Sequence, residues 1–169
     1  MKIAIPKTRA EIQYHLRDPL LKNSLFIMLT SIASAGFGFI FWMLAAKLYP
    51  AGDVGIATAL ISSMALLVLL SRFGLDFSII RFFPGADKSR IFSTSALITT
   101  FFAVIFGAVF ITGVDVFSPE LHLLKSPQNS TLFLIFLAAS SVTALTAISF
   151  IAIRKARFQF IQSIIVEIF

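Results

Sequence analysis

Lys47 to Pro84 reads KLYPAGDVGIATALISSMALLVLLSRFGLDFSIIRFFP. It opens on a turn with one acid, runs through 18 uncharged residues between Asp53 and Arg72, and ends in an aromatic-rich segment holding Arg72, Asp76 and Arg81. Because a bilayer needs about 20 apolar residues per helix, charge at both ends of such a run marks a membrane crossing. Counting from Val54 at about 1.5 Å per residue places Arg72 about 27 Å along, at the edge of the hydrocarbon. There Arg72 is either an anchor for the helix end or part of a working site, with Asp76 one turn on and able to pair with it at i, i+4. The apolar character continues past these charges, so an unbroken helix to Phe83 would be about 45 Å long and outreach the roughly 30 Å core. Such a helix either tilts and protrudes or turns its charged face to a wet cavity.

Three other runs repeat the pattern. Lys22 to Lys47 encloses 24 uncharged residues, Arg90 to Asp115 encloses 24 and Lys125 to Arg154 encloses 28. Composition agrees: 58% of residues are apolar, 20 of 169 are Phe, and 13% are charged against the roughly 25% of a soluble domain. The expected fold is an all-α polytopic bundle with four full spans, at about 23–46, 54–72, 91–114 and 129–153. A fifth span starts at 158 and stops at 169, incomplete at about 18 Å. The chain is therefore expected to be a fragment whose further C-terminal helices are missing, with 1–22 as a cytoplasmic N-terminal segment and 23–169 as the membrane part. Of the 14 Lys and Arg, twelve precede the first span, separate the second from the third or follow the fourth. Lys47 and Lys125 alone lie on the other side, and this bias predicts a multi-pass protein with its N-terminus in the cytoplasm. The charges fall between apolar runs and form no basic face, so the net charge of +6 does not imply nucleic acid.

The segment before the first span is no signal peptide, since no apolar core begins until Leu25. Ile12, Leu16 and Leu20 fit a short amphipathic helix on the membrane surface, and a basic disordered tail fits equally. His15 is alone there and receives no chemistry. Asp18-Pro19 is a helix start. Ser31 with Ala35 and Ser34 with Gly38 set small residues at i, i+4, a spacing for close helix packing. Trp42, Lys47 and Tyr49 form an interface belt, and the tight turn with Asp53 placed to cap the next helix predicts an antiparallel hairpin of the first two spans. The loop from Asp115 to Ser130 carries Glu120, His122 and Lys125 in no compact ligand pattern and is expected to be exposed. The fourth span concentrates Ser140, Ser141, Thr143, Thr146 and Ser149, which line a polar cavity or a tight interface.

No phosphate loop, nucleophile elbow, acidic metal pair or Cys/His pair is visible, there are no cysteines, and no enzyme, metal or cofactor is expected. Glu167 is the one ionisable residue inside a span, here the unfinished one, which makes it a candidate ion or cavity residue.

LLKNSLF at the head of the first span, LAAKLYPAGDVGIATALIS across the outer turn and FGLDFSIIRFFP closing the second resemble the N-terminal region of polysaccharide biosynthesis proteins. These are O-antigen or oligosaccharide flippases, in the superfamily that also holds multidrug exporters and lipid II flippases. The resemblance covers residues 20–90 by motif and the rest by spacing. It implies part of the first of two six-helix lobes around a cavity open to one side at a time, and the flipping of a polyprenyl-pyrophosphate-linked oligosaccharide across the cytoplasmic membrane. Under it, Arg72, Asp76 and Arg81 are expected at the anionic head group, and Ser140, Thr143 and Thr146 along a cavity or packing face. A drug or cation exporter of the same superfamily and a small membrane assembly subunit are the alternatives.

Overall fold

Helix breakers, more than apolar content, divide the chain. The computed structural model describes residues 19–83, 85 and 87–168, with side chains described from 23 to 166. The expectations for Ile12, His15, Leu16, Asp18 and Leu20 fall outside what is described, as does the side chain of Glu167. The elements are α1 (Pro19–Leu48), α2 (Ala51–Ser71), α3 (Leu75–Phe82), α4 (Lys88–Thr112), α5 (Val114–Phe117), a 3-10 helix (Pro119–Lys125), α6 (Pro127–Ala152) and α7 (Ala156–Ile168). The described residues are helical with no strand. Four helices, α1, α2, α4 and α6, are long and apolar enough to cross a membrane, which makes this a membrane-embedded protein.

The helices α2, α4 and α6 form the packed centre. Every fourth residue of α4 turns inward, giving Ser95, Thr99, Ala103 and Gly107, and α6 answers with Phe133, Leu137, Ser141, Leu145 and Ser149. Small residues on one side let the two backbones approach closely. A Cβ at Gly107 would sit 2.7 Å from Cδ2 of both Leu134 and Leu137, too close for any neighbour. Leu67 and Val68 of α2 close this core.

Both ends of the centre are covered. At one end α5 and the 3-10 helix bury Val114, Leu121 and Leu124 against Ala103, Phe133 and Leu137. Asn129 Nδ2 donates to the Leu123 carbonyl at 2.9 Å and Ser130 Oγ to that of Leu124 at 2.6 Å, stitching the cover to α6. Most of the loop from Asp115 to Ser130 is exposed as expected, Glu120, His122 and Lys125 included, while Leu121 and Leu124 turn inward because the core has room for them. At the other end α3 lays Ile79, with Phe83 just beyond it, against Leu145, with Ile91, Phe92 and Ile148 around them. Asp87 caps α4 by accepting from the backbone N–H groups of Ser89 and Arg90 at 3.1 and 3.4 Å.

The helix that begins after Pro50 covers the second expected span, 54–72, and does not run on to Phe83. It ends at Ser71, about 31 Å long, and restarts at Leu75, because Phe73 at φ 44° and Gly74 after it at φ 73° both take the left-handed region. Nor do α1 and α2 form a packed hairpin. They share the turn at Tyr49 and Pro50, but α1 packs along α7, where the Phe26 and Phe160 rings lie 6.2 Å apart and Asn23 Oδ1 accepts from the Ala156 N–H at 3.3 Å. Gly38, of the expected small-residue pairs, makes no close approach here: a Cβ on it would meet open space. Close packing through small residues belongs to α4.

Candidate functional site

The break between α2 and α3 builds the one partly buried ion pair among the described residues. Arg72 is the C-cap of α2 and Asp76 lies in the first turn of α3, so a cation meets the negative end of one helix dipole and an anion the positive end of the next. Arg72 Nη1 donates to Asp76 Oδ2 at 2.8 Å, with the two side chains 19% and 23% exposed. The contact is single, not forked. Arg72 Nε and Asp76 Oδ1 are buried without a hydrogen-bond partner among the described residues, an arrangement that leaves donor and acceptor capacity for something else. Asp76 lies between spans, and burial raises its carboxyl above the ordinary value while the Arg72 charge pulls it down.

Phe73 holds the break open. Its φ of 44° is unusual for a residue with a side chain, and its ring is braced by Phe102 at 4.8 Å in a T-shaped contact and by Phe106 at 5.8 Å.

Arg81 stands apart from the pair. It lies exposed in the last turn of α3 with its guanidinium carbon 5.6 Å from the centre of the Phe82 ring. Thus the structure joins Arg72 to Asp76 and does not bring Arg81 to them. Ser140, Thr143 and Thr146 are half-buried on α6. Thr146 Oγ1 donates to the Val142 carbonyl at 2.8 Å, so that hydroxyl is spent on its own helix. Of Thr143, the carbonyl is engaged, accepting from Gln162 Nε2 of α7 at 2.9 Å. The two buried serines of α6 are Ser141 and Ser149, which donate to Leu137 and Leu145 carbonyls at 2.8 and 2.9 Å. Around Asp115 the polar residues also disperse: Asp115 pairs with Lys125, and His122 Nδ1 lies 3.2 Å from the Pro119 carbonyl. Among the described residues no three His, Cys, Asp or Glu converge as a metal site.

Three buried polar groups escaped the sequence reading: Thr99 Oγ1 on α4 and the Oε1 atoms of Gln159 and Gln162 on α7, all without partners among the described residues. The four-residue spacing of Ser95, Thr99, Ala103 and Gly107 was the available signal for the first. Two glutamines within an apolar run were the signal for the others.

Set against known protein families, curated proteins and solved structures, the chain matches none of them. Fold and composition define a polytopic helical membrane protein.

Proposed function

We propose that the chain forms part of a flippase for polyprenyl-pyrophosphate-linked oligosaccharides in the cytoplasmic membrane, with its N-terminus in the cytoplasm and alternating access as the working principle. The observation that carries this reading is the Arg72–Asp76 pair, held by a helix break at the end of a span, in which Arg72 Nε has no hydrogen-bond partner among the described residues. A guanidinium offers five N–H donors in a plane and suits the oxygens of a phosphate. In this reading Asp76 holds Arg72 in place while the site is empty and yields Nη1 when a pyrophosphate arrives. Arg81, exposed on α3, supplies positive charge at the same leaflet and draws the head group in by long-range attraction. The sugar would pass through a cavity while the polyprenyl tail stays in the bilayer.

The test is surface glycan in cells that depend on this protein. Arg72→Gln combined with Arg81→Gln is expected to abolish export of the glycan while membrane abundance of the protein stays unchanged. Undiminished export by the double variant sinks the assignment.

A further inference from the structure

The turn at Tyr49 and Pro50 joins two helices that diverge, and a cleft of about 620 Å³ lies between the end of α1 and the start of α2. Phe41, Trp42, Leu48, Tyr49 and Ala57 line it, and Asp53 is its one charged lining residue. The Phe41 and Trp42 rings are 5.2 Å apart and nearly perpendicular. Asp53 was expected to cap α2. Instead Pro50 occupies the cap position, no side chain caps the helix, and Asp53 lies in its first turn. Its carboxylate has no hydrogen bond or ion pair among the described residues. Lys47, in the last turn of α1, is exposed and likewise without an acidic partner among them.

The turn therefore presents a carboxylate and an ammonium that do not satisfy each other, beside aromatic rings and an apolar cleft. Aromatic faces and a carboxylate together attract an organic cation. Leu44 and Leu48 on the rim are exposed, so the cleft is open to the side from which lipid would reach it. A ligand that matches the cleft carries an ammonium for Asp53 and the rings and an apolar chain for the walls. We propose that this cleft binds a phospholipid with an ammonium head group, phosphatidylethanolamine or phosphatidylcholine, from the leaflet at that end. An anionic phospholipid, with no ammonium to offer, would leave Asp53 facing a second negative charge. The inference does not rest on the flippase reading, since it concerns the end of the spans opposite Arg72.

Trp42 is the only tryptophan in the chain, so its fluorescence reports on this cleft alone. The chain is reconstituted into bilayers in which phosphatidylcholine, phosphatidylethanolamine or phosphatidylglycerol carries the same brominated acyl chains, whose heavy atoms quench a tryptophan they touch. The ammonium lipids are expected to quench Trp42 with an apparent affinity roughly two- to fivefold above that of phosphatidylglycerol, the worth of one carboxylate–ammonium contact at a wet interface. In Asp53→Asn the preference is expected to fall to parity, Asp53→Glu is expected to keep it, and Glu120→Gln, which removes a carboxylate outside the cleft, is expected to leave it unchanged. The Trp42 emission maximum checks that each variant is folded. Equal quenching by the three lipids in the unaltered chain overturns the proposal. A preference that survives Asp53→Asn does the same.

Discussion

Gly74 has a φ of 73°, and a Cβ there would meet nothing nearer than the Phe77 ring at 3.9 Å. The cost of Gly74→Ala is therefore almost purely that of the left-handed backbone, about 1–2 kcal/mol. Gly38→Ala makes the contrast, since open space surrounds it within a helix and Ala is the better helix former by about 1 kcal/mol. Thermal unfolding in detergent is expected to show Gly74→Ala lowered and Gly38→Ala equal to the unaltered protein or higher. Equal loss in both would mean that the break after Ser71 does not depend on its glycine. At the ion pair, Asp76→Asn leaves the Arg72 charge without its one acidic partner, and is expected to cost about 1–2 kcal/mol by the same measurement. Arg81→Gln, at an exposed residue with no ion pair among the described residues, is expected to change stability by less than about 0.5 kcal/mol. The glycan assay separates the residues again: Arg72→Gln is expected to be the more damaging single change, because Arg72 alone has a buried donor to offer.

Between elements, the α4–α6 seam carries the closest packing, and Gly107 is where it is tightest. Gly107→Leu forces Leu134 and Leu137 aside and is expected to lower stability by about 2–3 kcal/mol, an overpacking cost. Adding Leu134→Ala to it is expected to recover part of that loss, as an unfolding titration of the single and double variants would show. No recovery would place the strain elsewhere. This seam was only half visible in the chain. The spacing of Ser95, Thr99, Ala103 and Gly107 stands in the sequence at i+4, yet so does that of Ser31 with Ala35 and Ser34 with Gly38, where a Cβ at Gly38 would meet open space. Spacing shows that a close approach is possible, and only the partner helix decides whether it happens. The α2–α3 break was legible as far as its parts: Gly74 inside an apolar run, and the excess length of an unbroken helix. What the pattern could not give was that the segment after the break folds back, because Ile79 and Phe83 find their cavity on α4 and α6, far away in sequence. The same holds for Leu121 and Leu124, leucines in a stretch that polar residues marked as loop.

At the scale of the molecule, the four spans follow from the spacing of charges alone, since lipid tolerates few charges and enforces helix length. Their arrangement does not. A helix that is apolar on every side gives no face by which to choose a neighbour, and α1 is such a helix, so adjacency in sequence pointed to α2 where the structure pairs it with α7. The reason lies at the Arg154 end. Arg154 takes the left-handed region at φ 57°, with Lys155 N–H bonded to the Phe150 carbonyl and Arg154 N–H to that of Ile151, each at 2.9 Å. This reversal ends α6 and redirects α7 along α1, where Asn23 receives its first N–H. The pairing can be tested directly because the chain has no cysteine to interfere. Phe26→Cys with Phe160→Cys is expected to cross-link in membranes with a short bifunctional thiol reagent. Phe37→Cys with Ser62→Cys, equally far from the Tyr49–Pro50 turn on α1 and α2, is expected not to, because the two helices have already parted there. The reverse result, a strong 37–62 product and no 26–160 product, would restore the packed hairpin and close the cleft in which Asp53 and Trp42 are proposed to hold a lipid.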